Sequence, residues 1–298
     1  MSATSESAAV RPGESLDWRS KEITEILERA LAEDQGARDL TTDATIPEGL
    51  GATGSFLAKG ALVVAGLPLV ERLYELLDPA IHFQALAADG SLVARGALAE
   101  VRGNARMLLR AERTALNFLQ RLSGIATLTR RFALRLEGTH ARLLDTRKTT
   151  PGLRLLERYA VRVGGGTNHR FGLYDAVLIK ENHAQLAGGV AEAVRRARAR
   201  YGSQKIEVEV RDYAEVRQGL EAGADVLLLD NMTPDEVRHA LRLIQGRAVV
   251  EVSGGITLEN IRDYAEAGVD FISVGALTHS AAAADISFDL VPAGTSGP

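Results

Sequence analysis

The sequence predicts an α/β fold: repeated strand and helix units, seven strands in all, favouring closure into a parallel barrel behind a smaller α+β unit. Three observations predict it. Short apolar runs recur at residues 141–144, 160–163, 176–179, 206–210, 226–229, 248–252 and 271–274, with helical patterns between many of them. Most of these runs pass straight into charged, polar or glycine residues, as buried parallel strands do where their C-terminal ends open into a crevice. Earlier in the chain, over 51–67 and 81–101, apolar residues instead alternate with polar or small ones, which is the pattern of antiparallel strands.

In chain order, residues 1–17 are rich in Ser, Ala and Glu and read as a disordered tail, as does 292–298 at the other end. Neither holds the apolar run of a secretory signal or a membrane span. Ile23, Ile26, Leu27, Ala30 and Leu31 fall at helical spacing, so a first helix is expected over 18–34, followed by a loop over 36–43. A helix opened by Pro68 is expected over 68–77. Residues 104–136 contain almost no breaker except Gly124 and read as one long helix or two in series. Leu108, Ala111, Ala115, Phe118, Leu119 and Leu122 form its apolar stripe, while Arg106, Arg110, Arg113, Asn117 and Arg121 fall on another face. That basic face is either a solvated surface or a wall facing anions, including those of a neighbouring subunit. Further helices are expected over 189–201, 213–222, 234–243 and 258–267.

The 298 residues suffice for a large core, and 46% hydrophobic with 25% charged residues is ordinary for a globular enzyme. The 35 Lys and Arg against 39 Asp and Glu leave a net charge of -4, which gives no global reason to bind nucleic acid or an anionic membrane. Any anion site must therefore be local. Cysteine is absent, which excludes disulfides, thiolate nucleophiles and thiolate metal sites and fits a reducing, cytoplasmic setting.

The chemistry gathers at the predicted strand ends. Arg147, Lys148, His169, Arg170 and Lys180 are too many cations for one confined face unless an anion, or acids such as Asp145, Glu181, Glu209 and Asp230, compensate them. Arg147 and Arg170 suit carboxylates through the bidentate guanidinium fork. Ser253-Gly254-Gly255 and Gly275 to His279 follow successive strands, and paired Gly-containing turns late in a barrel suit a phosphate. Glu209 and Asp230 end neighbouring strands, with Glu207 on the same side as Glu209 by strand alternation. Beside a phosphate, two such carboxylates suit Mg²⁺.

At these residues the chain closely resembles the quinolinate phosphoribosyltransferase family. The matching strings are ERTALNFLQRLSGIAT from Glu112, DTRKTTPGLR from Asp145, GGGTNHR from Gly164, LIKENH from Leu178, IEVEV, LLLDNM from Leu227, EVSGGI from Glu251 and SVGALTHS from Ser273. Glu181 departs from the Asp more usual in the family. The resemblance implies an N-terminal α/β sandwich and a seven-stranded α/β barrel, in a homodimer where each barrel is completed by the partner's N-terminal domain. The expected partition is a tail over 1–17, the sandwich over 18–116, the barrel over 117–283, and a segment over 284–298 that returns to the N-terminal domain.

The implied activity is transfer of phosphoribosyl from phosphoribosyl pyrophosphate to quinolinate, with Mg²⁺, giving nicotinate mononucleotide, pyrophosphate and CO2. By position, Arg113 of one subunit with Arg147, His169, Arg170 and Lys180 of the other would hold the two carboxylates. Lys148 and Lys180 would meet the pyrophosphate, Glu209 and Asp230 the metal and ribose, and Ser253, Gly254, Gly255, Gly275 and His279 the 5′-phosphate. The alternatives are a relative that uses the same barrel for another acceptor and a phosphate-sugar sensor without turnover.

Overall fold

The computed structural model describes residues 16–294. The expected tails over 1–15 and 295–298 thus lie outside the described residues. At both margins order extends further than expected, since Leu16 is buried and Pro292 pairs with Ala52 in a strand.

The chain forms two compact units. Of the described residues, one unit holds 16–129, Thr150–Gly165 and 280–294; the other holds Arg130–Thr149 and Gly166–His279. The first begins with α1 (Lys21–Gln35), whose N-cap Ser20 accepts from the Ile23 amide and which buries Ile23, Leu27 and Leu31. The expected loop over 36–43 is half helix: Asp39 accepts from the Thr42 amide at 3.0 Å and starts α2 (Leu40–Thr45). There follow β1 (Gly51–Ala58), β2 (Leu62–Val63), α3 (Leu67–Leu77), β3 (His82–Ala85), β4 (Leu92–Val93) and β5 (Gly96–Asn104). Every second residue of β1 is buried, as in a sheet with one dry face.

From Ala105 to Arg135 runs α4, unbroken through position 116. Gly124 does not break it; a Cβ there would lie 2.0 Å from the Ala282 carbonyl oxygen, so the glycine admits a passing backbone. The end of α4 lies in the second unit, whose first strand is β6 (Arg142–Leu144), and α5 (Arg154–Val163) then belongs to the first. Beyond it lie β7 (Val177–Ile179), α6 (Glu181–Ala187), α7 (Val190–Arg200), β8 (Ile206–Val210), α8 (Tyr213–Glu221), β9 (Val226–Asp230), α9 (Pro234–Ile244), β10 (Val249–Ser253), α10 (Ile261–Ala267), β11 (Phe271–Ser273) and α11 (Ala276–His279). The chain then returns to the first unit as β12 (Ile286–Pro292), which completes an antiparallel sheet of order β12-β1-β5-β3. Phe56 and Phe288 face each other in register there, with ring centroids 4.6 Å apart.

The sheet of the second unit is parallel, with order β6-β11-β10-β9-β8-β7. Its six strands match six of the seven predicted runs. The seventh, 160–163, is the last turn of α5, because Leu155, Leu156, Ala160 and Val161 bury one helical stripe. The extra position beside β6 is taken by Thr167, in a single parallel bridge to Leu144. All five residues of β8 are buried, the signature of a strand covered on both faces.

Register sets the chemistry of this sheet. Glu209, Leu228 and Glu251 are paired across β8, β9 and β10, and Asp230 pairs with Ser253 two residues further on. Side chains alternate along a strand, so Glu207, Glu209, Asp230, Glu251 and Ser253 all share one face. The helices that follow are capped as their sequences dictate, α8 by Asp212 and α9 by a reciprocal box between Thr233 and Glu236.

Candidate active site

Four acids on one buried face would repel each other without counter-charges, and basic groups from the preceding loops supply them. Lys180, at the N-cap of α6, extends its Nζ to Glu209 Oε2 at 3.1 Å, while its own amide donates to His183 Nδ1 at 3.0 Å. The His169 Nε2 lies 3.4 Å from Glu207 and 3.4 Å from Glu251. Its Nδ1 accepts the Arg170 amide at 2.7 Å. Burial alone would lower the proton affinity of the ring, but the two carboxylates outweigh it and raise the hold of Nε2 on its proton.

The Arg170 amide contact requires a lone pair on Nδ1, so the ring carries its proton on Nε2. The Glu207 carboxyl beside it is pushed up, chiefly by burial. The same geometry argues against a metal ion between these three side chains, because a metal on Nε2 would send a proton to Nδ1 and against that amide.

Asp145, fully buried just past β6, fixes the neighbouring loop. Its carboxylate accepts from Asn168 Nδ2 at 2.6 Å and from the His169 amide at 2.7 Å. Two residues on, Arg147 comes close enough to Arg170 that, after burial, its charge is the next largest influence lowering the proton affinity of Arg170. Two guanidiniums held together at a partly buried site form an anion receptor. Asp230 is pushed the other way: burial first and the charge of Glu209 second raise its carboxyl, and Asn231, Lys180 and Lys148 ease it.

The Gly-containing turns also come together on this unit. Gly254 has φ 92° and Gly255 φ 64°, left-handed conformations that favour glycine. A Cβ on Gly254 would lie 2.2 Å from Asn231 Oδ1, and the Asn231 amide donates to the Ser253 carbonyl at 2.9 Å. Gly275 sits beneath Lys148 and His279, whose side chains would lie 2.9 and 3.2 Å from an added Cβ. The Thr278 hydroxyl holds this arrangement by donating to the Lys148 carbonyl at 2.7 Å.

The predicted residues Arg147, Lys148, His169, Arg170, Lys180, Glu209, Asp230, Ser253, Gly254, Gly255, Gly275 and His279 all belong to this unit. Arg113 belongs to the other, on α4. Of its basic stripe, Arg106 is engaged by Ile46 and Glu48, Arg110 by Asp43, and Arg121 by Glu157. Among the described residues the exposed Arg113 makes no ion pair or side-chain hydrogen bond. Sequence reading gave no role to Glu251 or Asn231. Glu in an apolar run was the available signal for Glu251, and the Asp-Asn step after β9 for Asn231, the first of only two non-glycine residues with positive φ among those described.

The chain matches the family models for the quinolinate phosphoribosyl transferase N-terminal domain over residues 39–123 and the C-terminal domain over 125–289. It is 42% identical to a probable nicotinate-nucleotide pyrophosphorylase (carboxylating) of Bacillus subtilis, covering 90% of this chain and 93% of the relative. It is likewise 42% identical to the chloroplastic nicotinate-nucleotide pyrophosphorylase (carboxylating) of Arabidopsis thaliana, over 90% and 83%. The crystal structure of NadC from Streptococcus pyogenes superposes with a TM-score of 0.89 at 41% identity, over 93% of this chain and 99% of that one.

Proposed function

The chain belongs to the quinolinate phosphoribosyltransferase family, and from that premise we propose how its residues divide the work. The activity is that of a nicotinate-nucleotide pyrophosphorylase: quinolinate and phosphoribosyl pyrophosphate give nicotinate mononucleotide, pyrophosphate and CO2, a step of NAD biosynthesis. The observation that carries the assignment to this site is the gathering of Arg147, Lys148, Arg170 and Lys180 on the unit that also carries Glu209 and Asp230, with Arg147 near enough for its charge to lower the proton affinity of Arg170. Lys180 follows β7 and meets Glu209, and the His169 Nδ1 accepts the Arg170 amide.

As pyrophosphate leaves the sugar, positive charge grows at the anomeric carbon and negative charge on the departing oxygen. Lys148 and Lys180 stabilise the latter, Glu209 and Asp230 lie on the sugar side, and Ser253, Gly254, Gly255, Gly275 and His279 receive the 5′-phosphate. Glu209 and Asp230 fit Mg²⁺, since burial and the charge of Glu209 raise the Asp230 carboxyl and a cation would relieve this; the ion would neutralise charge on the pyrophosphate. The ring nitrogen, once bonded to the sugar, becomes a cation that accepts the electrons released with CO2, while the arginines keep the remaining carboxylate in place. No covalent nucleophile is needed.

The exposed, unengaged Arg113 supports a homodimer in which it reaches the diacid of the partner's site. No helix among the described residues is long and apolar enough to cross a membrane. We assign the enzyme to the cytoplasm, with cell fractionation as the check. Release of pyrophosphate on mixing the protein with quinolinate, phosphoribosyl pyrophosphate and Mg²⁺ tests the whole reading. Turnover with nicotinate in place of quinolinate, or none with either, would overturn it.

A further inference from the structure

Glu207 and Glu251 take no part in the chemistry above, yet they are 9% and 2% exposed and bracket one imidazole nitrogen from strands that are not neighbours. Among the described residues, Oε1 of each has no hydrogen-bond partner. Half-satisfied buried carboxylates are costly, and a neutral pair of similar size would fill the same space. What the pair does locally is clear from its contacts: it fixes the His169 ring by Nε2, and the other nitrogen of that ring is occupied by the Arg170 amide. Both polar edges of His169 are therefore taken, and the ring has no nitrogen left to donate to a ligand carboxylate. Arg170 is held again by its guanidinium, which donates to the Ala176 carbonyl at 3.1 Å.

We propose that Glu207 and Glu251 are positioning residues for recognition of the diacid, acting through His169 to fix the backbone of Arg170, and that His169 itself orients Arg170 and does not grip a carboxylate with its ring nitrogens. Glu207 also faces the Arg170 guanidinium as a counter-charge. The chain of contacts runs from β8 and β10, both interior strands of the parallel sheet, to a loop residue that must meet its ligand within a fraction of an ångström. This rests on the quinolinate reading of the site.

The test compares Glu251→Gln, Glu207→Gln, His169→Gln and the double variant Glu251→Gln/His169→Gln with the parent. Expected are a KM for quinolinate raised about tenfold in each, a KM for phosphoribosyl pyrophosphate within about twofold of the parent, and a double variant no worse than His169→Gln alone. Equal changes in both KM values, no change, or additive losses in the double variant would overturn the proposal. A second readout needs no turnover: in the ¹⁵N spectrum of histidine-labelled protein, the signal lost in His169→Gln should report a proton on Nε2 and an acceptor Nδ1, and Glu251→Gln should abolish that preference. A signal with the proton on Nδ1, or one unmoved by Glu251→Gln, would sink it. If the parent fails to turn over quinolinate while the spectrum behaves as expected, the functional reading fails and the anchor stands.

Discussion

Lys180 Nζ donates to Glu209 Oε2 at 3.1 Å, joining a half-exposed lysine to a carboxylate that is 9% exposed. In the proposed mechanism the same cation would hold the glutamate before substrates arrive and the leaving group afterwards. Lys180→Met should therefore lower kcat/KM for quinolinate by about a hundredfold, the usual effect of losing one preorganised charge. Steady-state kinetics measure it, and an unchanged value would reduce the pair to a structural bridge.

Arg147→Ala should weaken quinolinate binding by roughly 1.5–3 kcal/mol, the range for hydrogen bonds to charged groups. Relieved of its like-charged neighbour, Arg170 loses the repulsion but cannot replace the second fork. Calorimetric titration with quinolinate is the measurement, and parental affinity would count against the arginine pair.

Asp230→Asn removes one carboxylate and keeps the shape. Turnover should fall and its dependence on Mg²⁺ concentration should flatten. Activity assayed across a Mg²⁺ series decides the matter; a curve that overlays the parent's would show that the ion is held elsewhere.

Arg113→Ala and Lys148→Ala should each be inactive alone. If a site takes Arg113 from one subunit and Lys148 from the other, random mixing after unfolding and refolding should restore about a quarter of the parental activity, because half the dimers carry one intact site of two. No recovery would confine the site to a single chain.

Asp225, at the start of β9, accepts from the Ile206 amide at 2.7 Å and from Arg198 at 2.6 Å. Burial opposes its charge, but these donors prevail and hold the carboxyl below its usual 3.8. A depressed folded value gives stability that is present above the unfolded value and is lost as pH falls through the folded one. Asp225→Asn should thus cost about 1 kcal/mol near neutrality, a modest figure because the side chain is 39% exposed, and the difference from the parent should disappear as pH falls through the lowered value of the folded carboxyl. Urea unfolding at a series of pH values checks both limits.

The six parallel strands were legible because a strand buried on both faces is written as a short, mostly apolar run, as in VLLLD. The run AVRV at 160–163 was misleading for the same reason: four residues do not separate a buried strand from a buried helical turn, and only Leu155 and Leu156 before it complete the helical stripe. Thr167, which stands in its place beside β6, lies in a glycine and polar stretch with no apolar signal at all. The cations and the acids at strand ends could be read from residue type and position. Glu251 could not, since its meeting with Glu207 depends on β9 lying between their two strands.

The return of β12 to pair with β1 leaves its mark on how the molecule is made. More than two hundred residues separate the paired strands, so a ribosome releases the whole parallel sheet before the first sheet can be finished. Through that interval one margin of β1 offers unmatched amide and carbonyl groups to any extended segment nearby, nascent neighbours included. Translation speed and chaperone supply, more than the final contacts, would then set the yield of active enzyme.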